Sequence, residues 1–78
     1  MTNQEIRKGR INEVFKIVWT CNRKGEAVDR NKLISVMGVQ TGISRRVVSE
    51  YIENLIGANR IIETEEGELW AKEFERYG

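Results

Sequence analysis

Residues 37–48 read Met37-Gly38-Val39-Gln40-Thr41-Gly42-Ile43-Ser44-Arg45-Arg46-Val47-Val48. The stretch holds a helix stop followed at once by a helix start. Gly42 suits the left-handed position that ends a helix, because glycine enters positive φ without steric cost. Ser44 is a good N-cap, whose hydroxyl accepts from the first free N–H groups of the next helix. Two helices joined by so short a turn must cross closely. Gly38 offers a small residue for that crossing, and Ile43 and Val48 offer apolar plugs between the helices.

Upstream of the turn, Asp29 is an N-cap residue for a helix running to about Thr41, with Leu33, Val36 and Met37 turned inward. Downstream, Val48, Tyr51, Ile52, Leu55 and Ile56 give the next helix an apolar face, closed by Gly57 to Asn59. A further helix precedes both. Thr2-Asn3-Gln4-Glu5 fits a capping box, and Ile11, Val14, Phe15, Val18 and Cys21 recur at three- and four-residue steps. That helix spans about Asn3 to Asn22 and ends at Arg23-Lys24-Gly25. Ile17 and Trp19 widen its apolar face beyond what one small core needs, which points to a second covered surface. Glu26-Ala27-Val28 reads as a stub of strand. After the helices, Arg60 to Thr64 and Glu68 to Ala71 read as strands joined by the turn Glu65-Glu66-Gly67. Lys72 to Gly78 is a tail whose Phe74 and Tyr77 pack back on the domain or join a dimer contact.

The chain has 78 residues, of which 40% are hydrophobic and 32% charged. That length and the lack of an internal linker or repeat fit one domain, residues 1–78, with a thin core. No apolar run approaches the ~18 residues needed to span a membrane, and the polar start carries no signal peptide. A cytoplasmic, nucleoid-associated protein is expected. With one Cys and no His, no zinc site and no Cys–His or Ser–His nucleophile can be assembled. Cys21 reads as a small core or interface residue, or as half of an intermolecular disulfide. No metal or cofactor is expected, and an enzyme is not.

Residues 37–48 resemble the helix-turn-helix motif of DNA-binding proteins, with Gly38, Gly42 and Val48 at the family's spacing of small, turn and apolar positions. With the hairpin that follows, most of the chain resembles a winged-helix domain. It is similar to small bacterial and archaeal transcription regulators, including those of archaeal viruses and plasmids. The resemblance implies a mainly α, α+β fold: three helices followed by a two-stranded wing. It also implies that the third helix enters the major groove of double-stranded DNA. Carried over, Ser44, Arg45, Arg46 and Ser49 face base edges or phosphate, with Glu50 beside them. Gln40 and Thr41 touch the backbone from the turn. Arg30 and Lys32 bind phosphate at the start of the second helix, and Arg60 does so at the base of the wing. Arg45 and Arg46 suit guanine or phosphate, while the bland reading pairs Arg46 with Glu50 one turn on. Arg7, Lys8 and Arg10 read equally as an arm for phosphate or as an exposed helix face.

Two features depart from the family pattern. Val47 stands where a polar residue is common, and packing is the expected role. The wing carries Glu63, Glu65, Glu66 and Glu68, which a duplex repels. The net charge of +1 hides a division along the chain. Residues 1–46 hold ten Lys and Arg against four Asp and Glu, a balance of +6; residues 47–78 hold three against eight, a balance of −5. The expected function is therefore a sequence-specific DNA-binding regulator acting as a homodimer, its acidic wing clear of the duplex or facing a protein. A winged-helix interaction module that reads no DNA is the alternative.

Overall fold

The structure is a computed structural model that describes residues 2–77, with side chains described to Phe74. Three helices come first in register with the sequence signals: α1 (Asn3–Arg23), α2 (Arg30–Thr41) and α3 (Arg45–Gly57). Three strands accompany them, β1 (Val28–Asp29), β2 (Ile61–Glu63) and β3 (Glu68–Ala71), and a final 3₁₀ segment covers Lys72–Tyr77.

The helix ends follow local chemistry. The Thr2 hydroxyl accepts from the Glu5 N–H, one carboxylate oxygen of Asp29 accepts from Asn31 and Lys32, and Ser44 accepts from Val47. α1 ends in a Schellman turn. Gly25 has φ +85°, its N–H donates to the Asn22 carbonyl, and the Glu26 N–H donates back to Cys21. α3 ends the same way within the expected stretch Gly57 to Asn59, with Asn59 at φ +61° taking the left-handed position. Gly42 has φ +73° and closes α2 through its N–H to the Gly38 carbonyl.

The β2–β3 hairpin is not free-standing, unlike the two-stranded wing expected from the sequence. β3 lies in the middle of a three-stranded antiparallel sheet of order β1-β3-β2, with Val28 opposite Leu69 and Ile62 opposite Trp70. The stub before α2 is thus a true edge strand. The loop 65–67 closes with Gly67 at φ +81° and with Thr64 taking the Glu68 hydrogen bonds, a three-residue hairpin turn. The Gly67 carbonyl accepts from the Arg30 N–H, so the hairpin tip is tied to the start of α2.

The core is one cluster of Val14, Val18, Val28, Leu33, Ile34, Met37, Val48, Tyr51, Ile52, Leu55, Ile61 and Leu69. Each large aliphatic side chain fully removed from water contributes about 1.5–3 kcal/mol. Ile11, Phe15, Ile17, Cys21, Ile43, Val47 and Ile56 pack partly buried around it, so Val47 is a packing residue. On α2 the inward set is Leu33, Ile34 and Met37. Val36, expected inside, is exposed, because the helix is rotated toward Ile34. The close crossing at Gly38 is also corrected: a Cβ there meets only the Ile43 carbonyl, at 3.6 Å, an ordinary contact. The tail begins by folding back: Phe74 lies 5.9 Å from the Trp19 ring, and the Trp19 indole N–H donates to Glu73. Tyr77 lies outside the described side chains.

One buried polar residue joins the layers. The Asn22 amide donates to the carbonyls of Glu26 and Leu69 and accepts from the Ala71 N–H at 2.6 Å. It anchors the end of α1 to the central strand and to the loop before β1.

Among the described residues, no helix is long and apolar enough to cross a membrane. No group of three or more His, Cys, Asp or Glu able to hold a metal ion occurs among them either.

Candidate nucleic-acid interface

α3 buries Val48, Tyr51, Ile52 and Leu55 against α1, α2 and β2, which turns Arg45, Arg46, Glu50, Glu53 and Asn54 to solvent. The Ser44 cap leaves the helix entry exposed, and the positive end of the helix dipole lies there. Arg46 is 90% exposed and has only a 3.7 Å contact to Glu50. Pairs of this i,i+4 kind are worth about 0.3–0.5 kcal/mol, so an incoming phosphate competes easily. Arg45 donates to the Ser35 hydroxyl at 3.2 Å, a single neutral partner that leaves most of its donors open. Arg7, near the start of α1, lines the same shallow depression as Arg46, Ser49, Glu50, Glu53 and Asn54, two arginines beside two carboxylates. The fold therefore brings the basic start of α1 beside α3, a juxtaposition of residues 39 apart in sequence that periodicity alone does not contain.

The turn residues divide. Gln40 is exposed. Thr41 spends its hydroxyl locally, donating to the Met37 carbonyl at 2.6 Å and accepting from the Ile43 N–H. Lys32 is exposed and borders a groove between α1 and α2 with Ile17, Cys21 and Val36.

Arg30, expected to bind phosphate, has its guanidinium engaged within the fold. Its side chain is 20% exposed and bridges three elements. Nη2 donates to Ser49 and to Glu53 on α3, each at 2.9 Å, and Nη1 donates to Glu63 on β2 at 2.6 Å. Burial acts to lower the Arg30 pKa, but the hydrogen bonds and charges of Glu53 and Glu63 outweigh it and hold it above the ordinary range. Arg60 is likewise engaged. Its guanidinium stacks 4.1 Å over the Phe15 ring and donates to Asn12, so it is seated on α1 rather than extended from the wing. Of the hairpin carboxylates, Glu63 is spent on Arg30, while Glu65 and Glu66 are exposed at the tip.

The site thus splits into an open part (Gln40, Arg45, Arg46, with Arg7 added) and a bonded part (Arg30, Ser49, Glu53, Glu63). Ser44 and Thr41 serve the turn itself. Comparison of the chain with protein-family models, with curated proteins and with solved structures finds no match.

Proposed function

We propose that the protein is a winged-helix transcription regulator that binds double-stranded DNA sequence-specifically, with α3 in the major groove. The observation that carries this reading is the pair Arg45 and Arg46, exposed at the capped start of α3 with no strong internal partner. Both lie at a helix N-terminus, where backbone N–H groups and dipole favour an anion. A guanidinium there binds guanine O6 and N7 bidentately or clamps phosphate. Arg7 adds a phosphate contact from α1, and Gln40 one from the turn. The α2–turn–α3 unit and the sheet behind it are compatible with the winged-helix arrangement. The homodimer belongs to the same proposal: two copies of α3 would read half-sites one helical turn apart, about 34 Å. The same proposal puts its site of action in the cytoplasm, on the nucleoid.

The exposed Glu65 and Glu66 at the hairpin tip favour a second reading, an interaction module whose partner is a protein. Selection from a random duplex pool separates the two. A regulator enriches a motif, palindromic if it acts as a dimer, and the variant Arg45→Glu/Arg46→Glu enriches none. Failure of the wild-type chain to retain any duplex at low salt overturns the DNA-binding reading and leaves the module.

A further inference from the structure

Arg30, Ser49, Glu53 and Glu63 form the most highly connected polar cluster among the described side chains, and the interface as proposed makes no use of it. Three observations meet there. The Arg30 side chain is half-buried, and its guanidinium is bonded to two carboxylates and one hydroxyl. Its partners sit on α3 and β2, while its own backbone N–H holds the Gly67 carbonyl of the hairpin tip. Ser49 lies one turn beyond Arg46 on the flank of α3 that borders the Arg7 depression. The Ser49 oxygen accepts from Arg30, and its own O–H donates to no group among the described residues.

We propose that Arg30 is a positioning and specificity-determining residue of the DNA interface and not a phosphate ligand. This rests on the function proposed above. The planar guanidinium fixes the rotation of α3 against β2, because its fork must meet acceptors on both at once. By occupying a lone pair of Ser49, it leaves that hydroxyl to present its proton. A charged donor on the oxygen also polarises the O–H and strengthens it as a donor. Ser49 then reads acceptors: guanine O6 or N7, thymine O4, adenine N7, or a phosphate oxygen. With one of its two lone pairs taken by Arg30, Ser49 is a poorer acceptor for the cytosine amino group.

The two roles for Arg30 differ in sign. Carboxylates beside a phosphate ligand repel DNA, so removing them tightens binding and flattens nothing. Carboxylates that hold a positioning arginine support binding, so removing them loosens it. The test measures binding of the wild-type chain, Arg30→Lys, Arg30→Met and Glu53→Gln/Glu63→Gln to the best duplex from the wild-type selection, across a salt series. Thermal melts confirm that each variant is folded. The proposal expects the double carboxamide variant and Arg30→Lys each to bind about tenfold more weakly, a change of about 1.4 kcal/mol. It expects the salt slope of every variant, Arg30→Met included, to match the wild type. Arg30→Lys that binds like wild type, a carboxamide variant that binds as well or better, or a slope reduced by about 0.9 in Arg30→Met overturns it, the last being the loss of one phosphate contact. A wild-type chain that binds no duplex overturns the parent reading and this one together, whereas any of the other outcomes, with the wild type binding, removes this proposal alone.

Discussion

Arg46 on α3 and Arg30 on α2, whose guanidinium bonds α3, are in opposite physical states. Arg46 is 90% exposed and touches one carboxylate at 3.7 Å; Arg30 is 20% exposed and is bonded to Ser49, Glu53 and Glu63. The same contrast runs through the molecule. The seam between α1, α2 and the sheet is bonded through: Asn22 ties α1 to β3, and Arg30 ties α2 to α3 and β2. The start of α3 is left open. A cation with its partners inside the fold contributes to shape, and one without them is available to an outside anion. Residue type does not separate the two; neighbours do.

The sharpest way to break this contrast is at its bonded end. Asn22→Ala leaves the Ala71 N–H and the Leu69 and Glu26 carbonyls without their amide partner. Each orphaned buried group costs about 1–3 kcal/mol, so the variant is expected to lose about 3 kcal/mol in urea unfolding. A loss under about 1 kcal/mol would show that the seam is not held there. Next comes the open end. Arg45→Glu/Arg46→Glu is expected to lower duplex affinity at least about a hundredfold, or 2.7 kcal/mol, since two favourable charges become two repulsive ones. Its unfolding free energy should stay within about 0.5 kcal/mol of wild type, as befits exposed residues. An equal loss of stability and affinity would merge the two regions.

Two glycines between these regions give smaller effects of opposite sign. Gly42 sits at φ +73°, where a Cβ costs about 1–2 kcal/mol, so Gly42→Ala should destabilise by that amount in thermal unfolding. Gly38 is helical with room for a Cβ, so Gly38→Ala should stabilise by about 0.5–1 kcal/mol. Destabilisation at Gly38 would restore the close helix crossing that the spacing suggests.

The division between local and distant chemistry also explains what could be read from the residues alone. The caps Thr2, Asp29 and Ser44, the stop at Gly42 and the hairpin turn 65–67 depend on neighbours within four residues, and all are recovered. Val36 and Ile34 show the limit. Leu33 and Met37 form a helical stripe with either one, and only the direction from which α1 and α3 approach makes Ile34 the buried member. Asn22 reads as a helix end because its partners, Leu69 and Ala71, lie 47 and 49 residues away. Arg30 reads as a free cation at a helix start for the same reason, its carboxylates lying 23 and 33 residues on. Arg60 carries no signal of Phe15, 45 residues earlier, beneath it. The charge division between the halves of the chain was legible, but the acidic half is partly neutralised by the basic half at Arg30. Glu65 and Glu66 at the hairpin tip and Glu50 and Glu53 on α3 keep their carboxylates exposed.

The claim that Arg45 and Arg46 are the open cations of a DNA interface is tested most directly by the salt dependence of duplex binding. Affinity of the wild-type chain and of Arg45→Gln/Arg46→Gln should be measured over a salt series on one duplex. Each phosphate contact contributes a slope of about −0.9 in log K against log salt. If both arginines clamp phosphate, the variant loses about 1.8 from the slope; if they read guanine, the slope holds while preference for the selected sequence falls. Unchanged slope together with unchanged sequence preference would contradict the account.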